Sequence, residues 1–76
     1  MSSMTEFQQI EYNDQVVAVV VGDQAIIPNG MPTADHQTVK AMCLYALEVM
    51  AGTQPGPYTT ERALEYAEQA AAERSP

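Results

Sequence analysis

The segment Gln15–Val21 reads Gln-Val-Val-Ala-Val-Val-Val, and it constrains the fold more than any other stretch of the chain. Five of its seven residues are valine, whose branched side chain is stiff at χ1 and packs well on a pleated surface, so the segment predicts a strand. Two-residue turn signals bracket it, Asn13-Asp14 before and Gly22-Asp23 after. Asn, Asp and Gly accept the positive φ that tight hairpin turns demand, although Asn-Gly would be a stronger signal. Gln15–Val21 therefore becomes the middle strand of an antiparallel meander over residues 6–27. Its first strand is the alternating Phe7–Tyr12 and its third is Gln24–Ile27. Pro28-Asn29-Gly30-Met31-Pro32 ends the sheet, because proline removes a ladder donor and glycine weakens a strand.

Strand side chains alternate between faces, so the two turns assign each residue a side. One face collects Ile10, Tyr12, Val17, Val19, Val21 and Ile26. The other collects Phe7, Val16, Ala18, Val20, Ala25 and Ile27, with Gln9 and Glu11 on the first strand. A sheet with one wet face should alternate apolar with polar. The valine run does not, so both faces call for a cover. The expected cover is a second copy of the chain or a partner, with Phe7, Val16, Ala18, Val20 and Ile27 as the oligomer interface. One helix on each face and a mildly apolar face that is simply tolerated are the competing arrangements.

Two helices follow. Thr33 is the expected N-cap of the first, Asp35 falls in its first turn where the helix dipole favours an acid, and Gly52 suits its C-terminal cap. This predicts a helix over 34–51. At about 100° per residue, Val39, Met42, Cys43, Ala46, Leu47, Val49 and Met50 share a broad stripe, with Leu44 and Tyr45 outside it. The methionine-bearing stripe reads as core, and Leu44, on the polar side near Gln37, Lys40 and Glu48, as a candidate contact residue. Thr53-Gln54-Pro55-Gly56-Pro57 cannot be helical throughout. Thr59 caps the second helix, 59–73, whose inward stripe is Ala63, Leu64, Ala67, Ala70 and Ala71. Residues 1–5 form a frayed start and 74–76 a tail. The whole is a single α+β domain, β-β-β-α-α: a small three-stranded antiparallel meander with two helices packed on one face.

Charge narrows the function. Ten acids against three bases leave a net charge of -7, and Lys40, Arg62 and Arg74 form no patch. Direct nucleic-acid binding needs clustered bases that release counterions, so it is excluded, as is an anionic membrane surface. No apolar run approaches the ~20 residues that cross a bilayer. The N-terminus carries no signal-peptide pattern, and the single Cys43 cannot form an internal disulfide, so the expected setting is cytoplasmic. A charge of this sign favours basic proteins as partners.

Convergent chemistry is missing. His36 and Cys43 stand seven residues apart on the first helix, about 10 Å at ~1.5 Å per residue, too far for a Cys–His pair or one metal. The four glycines lack the spacing of a phosphate loop, and the acids match no calcium loop. Neither a catalytic residue nor a metal or cofactor site is expected. On the second helix, Glu61, Glu65 and Glu68 recur at i, i+4 and i+7 as an acidic ridge. With Tyr58, Tyr66 and Leu44 they make the expected partner-binding set.

In size, charge and lack of chemistry the chain resembles the short acidic proteins with which phages and mobile elements block host machinery, anti-CRISPR and other anti-defence proteins among them. That resemblance implies an inhibitor that covers a basic surface of a host protein. Two other classes compete with it: a homo-oligomeric structural or ligand-sequestering module, and an enzyme subunit whose active site forms across an interface.

Overall fold

A computed structural model describes residues 7–74, without the side chains of Thr33, Ala34 and Arg74. The expectations for residues 1–6 and for the tail beyond Arg74 lie outside the described residues. The elements run β1 (Phe7–Tyr12), β2 (Gln15–Val21), β3 (Gln24–Ile26), α1 (Thr33–Ala51) and α2 (Thr60–Arg74). The strands form one antiparallel sheet in the order β1-β2-β3, so the α+β meander-then-helices architecture is observed.

Local chemistry explains where the elements begin and end. Asn13 and Asp14 take φ of 56° and 64°, the paired left-handed conformation of the tightest hairpin turn. Gly52 closes α1 at φ 85°, and its N–H bonds the carbonyl of Val49. At the start of α2 the Thr59 hydroxyl accepts from the Arg62 backbone N–H at 3.1 Å, as expected of a cap. The start of α1 differs from expectation. Pro32 occupies the cap position at φ -55° and ψ 148°, and Thr33 is already helical. The proline ring fixes an extended approach, and its carbonyl accepts the first turn's bond from the His36 N–H at 2.8 Å.

The register corrects the assignment of faces. From the turn outward Tyr12 pairs Gln15 and Glu11 pairs Val16, but Ile10 then pairs Ala18 rather than Val17. One extra residue on β2 makes a bulge there, and a slip of one residue exchanges the two faces beyond it. Ile10, Ala18 and Val20 consequently point together toward the helices, at 0%, 3% and 0% exposure. Ala18 and Val20 are thus core residues rather than part of an outward interface, and Ile27 is half-buried against the same core.

Helix α1 lies across all three strands, and α2 packs on α1 and reaches only β1 among the strands. Val39, Met42, Cys43 and Ala46 of α1 are buried with Ile10, Ala18 and Val20, and α2 adds Ala63 and Ala67. Fully burying a side chain such as Ile10, Val20 or Met42 contributes roughly 1.5–3 kcal/mol each, so a few residues carry most of the core. Tyr45, expected outside the stripe, is buried as well. Helix α1 is covered on two sides, by the sheet and by α2, and a stripe drawn for one partner misses the residue that meets the second. With α1 and α2 both on one side, the opposite face of the sheet has no cover among the described residues.

Candidate interaction surfaces

Several outward-facing regions are built by this framework, and the first is α2. Glu61, Glu65 and Glu68 are all exposed on it. The alanines of the opposite stripe let α2 sit close to α1, which leaves the glutamates on the solvent side. Arg62, between them in sequence, turns its guanidinium back toward the helix start and donates to the Gly56 carbonyl at 3.3 Å. The ridge stays acidic as a result.

Tyr58 and Tyr66 do not join that ridge. Their rings pack on buried Tyr45, with centroids 5.8 Å and 5.4 Å away and interplanar angles near 41° and 42°. The Tyr45 hydroxyl donates to the Pro55 carbonyl at 3.2 Å, tying the connector to the cluster. The Tyr66 hydroxyl lies 3.5 Å from Glu48 Oε2, while Gln54 donates to Glu48 Oε1 at 3.0 Å. Burial first, and the neighbouring Glu48 carboxylate second, push the Tyr66 phenol upward. Tyr58 is pushed up to about 12, chiefly by burial, and its hydroxyl has no hydrogen-bond partner among the described residues. The tyrosine cluster is the part of the structure that sequence reasoning missed. Its signal was Tyr45 standing four residues from Ala41 and seven from Thr38, along a second stripe of α1.

The second region is a groove of about 360 Å³ between the helices, lined by Gln37, Lys40, Ala41, Leu44, Tyr66 and Ala70. Leu44, 46% exposed, stands on the solvent side as expected and meets the edge of Tyr66's site in this groove. A separate open groove of about 530 Å³ lies where the β2–β3 turn meets the end of α1, with Leu47 and Met50 in its wall and Asp23 at its edge.

The third region is the uncovered sheet face. Phe7 pairs Val21, Val19 pairs Ile26, and Glu11 pairs Val16, so these six share one side. Phe7, Val16 and Ile26 are 60%, 51% and 60% exposed, while Val19 and Val21 are half-buried by their strand neighbours. The face therefore holds two of the five expected interface residues, Phe7 and Val16, together with Val19, Val21 and Ile26.

His36 and Cys43 are not brought together into a site: Cys43 is buried in the core and pushed up to about 11 by that burial, and His36 is half-buried near the helix start. Among the described residues, no three His, Cys, Asp or Glu side chains converge as a metal site, and no helix is long and apolar enough to cross a membrane. No family model, curated protein or solved structure matches the chain, so these surfaces rest on their own chemistry.

Proposed function

We propose that this chain is a non-enzymatic protein-binding module of the cytoplasm that acts by occupying a basic surface of another protein. It belongs in kind with the small acidic inhibitors of phages and mobile elements, the anti-CRISPR and other anti-defence proteins included. The observation that carries this reading is the exposed Glu61–Glu65–Glu68 ridge, with Arg62, the cation within it, bonded to the Gly56 carbonyl. Like charges at helical i, i+4 spacing cost a few tenths of a kcal/mol per pair. A binding surface that presents them to Lys and Arg recovers that cost on docking and speeds encounter. Leu44 and the Tyr66 edge of the interhelical groove add a separate, partly apolar surface between the helices.

The test is capture from a nuclease-treated bacterial lysate with the wild-type chain and with Glu61→Lys/Glu65→Lys/Glu68→Lys, washed at low and then high salt. The expected outcome is a basic protein held by the wild type, released by salt and not held by the triple variant. A partner held equally by both chains, or held regardless of salt, overturns the ridge as the binding surface.

A further inference from the structure

We infer that the uncovered face of the sheet is a second docking surface, and that its occupant is an apolar patch bordered by Lys or Arg on a partner protein. The inference rests on the basic-partner reading above but concerns the opposite side of the sheet from the helices. Its middle strand is apolar: Val16, Val19 and Val21 lie between exposed Phe7 on β1 and exposed Ile26 on β3, with Gln9 and Gln24 as polar positions on those flanking strands. Its ends are acidic. Asp14 stands in the turn at one end with Glu11 beside it, Asp23 stands in the turn at the other, and all three are exposed. Residues 7–27 contain no Lys, Arg or His. An apolar centre within a charged rim is the anatomy of a protein interface, and here the rim carries one sign only.

A second copy of the chain is the wrong occupant on two counts. Stacking two such faces about a two-fold axis along the strands sets the Asp14 ends together, and an axis across the strands sets Asp14 against Asp23. Acid meets acid in both. The face is also small: three strands of six, seven and three residues, about 4.8 Å apart and rising ~3.4 Å per residue, give a footprint of roughly 260 Å². A standard interface buries ~800 Å² per partner, so the face needs an occupant that also engages the rim. Basic residues bordering an apolar patch do both.

The experiment is titration of the isotope-labelled full chain, followed by backbone amide NMR, with a synthetic peptide whose isoleucine- and threonine-rich middle is flanked by lysines. Its twin with glutamates for lysines is the control, and Ile26→Lys and Glu65→Lys are the variants. Ile26 is exposed, so its substitution is expected to leave the folded spectrum intact. The expected result is that the lysine peptide alone shifts amides of β1, β2 and β3. Ile26→Lys then weakens binding about tenfold or more, while Glu65→Lys leaves it unchanged. Equal shifts from both peptides, or no shift at millimolar peptide, overturn the inference. So does a doubling of mass in sedimentation of the chain alone. Shifts confined to α2 overturn it too, yet leave the ridge reading standing.

Discussion

Tyr58 carries, at the scale of one residue, a hydroxyl buried without a hydrogen-bond partner among the described residues, a condition that costs roughly 1–3 kcal/mol. Tyr58→Phe is therefore expected to match or exceed the wild type by about 1 kcal/mol in urea unfolding at neutral pH. Tyr45→Phe, which gives up the bond to Pro55, loses about that much instead. The pH dependence separates the two roles further. A tyrosine in the unfolded chain ionises near 10.0, whereas Tyr58 in the fold is held up to about 12. Folding thus favours its neutral form: the contribution is complete below pH 10 and is lost as pH rises through 12. Cys43 adds a like loss between 9.0 and about 11. Wild-type stability should fall steadily from pH 9 upward, and Tyr58→Phe should fall less steeply above pH 10. A variant that loses stability at neutral pH would show that the hydroxyl is bonded after all.

The next scale up is the element, where the turns did most to make the fold legible. Asn13-Asp14 and Gly22-Asp23 placed all three strands, Thr59 and Gly52 placed helix ends, and proline stopped the sheet. What stayed hidden was the bulge opposite Ile10. Val16 through Val21 offers near-identical side chains at every step apart from Ala18, so nothing in the pattern marks where an extra residue is taken up. The faces were therefore read in the wrong phase, and Ala18 and Val20 were set outside when they belong in the core. Of the candidate contact residues, the glutamates and Leu44 were legible because helical angle alone places them. Tyr58 and Tyr66 were not, because their orientation depends on Tyr45 across the helix pair. The hairpin itself supplies a prediction. Asp14 sits at φ 64°, a conformation glycine adopts without steric cost. Asp14→Gly should raise stability by about 0.5–1 kcal/mol, seen as a few degrees in thermal melting, and a lower melting temperature would rule out the paired left-handed turn.

Across the whole molecule, a charge of -7 on 76 residues makes self-repulsion a term in stability. Added sodium chloride should raise the melting temperature of the isolated chain while weakening its hold on a basic partner, two trends of opposite sign from one cause. A melting temperature that falls with salt would mean that attractive ion pairs outweigh the repulsion. The bulge, too, acts on this scale. A hairpin that zips from the Asn13-Asp14 turn without skipping Val17 would offer Val17, Val19 and Val21 to α1 in place of Ala18 and Val20, and would gain nearly the same apolar surface. The chain thus encodes two phasings of one ribbon, separated by a single step. Folding to the right one is a counting problem that this valine-rich strand answers only when the helices arrive to check it.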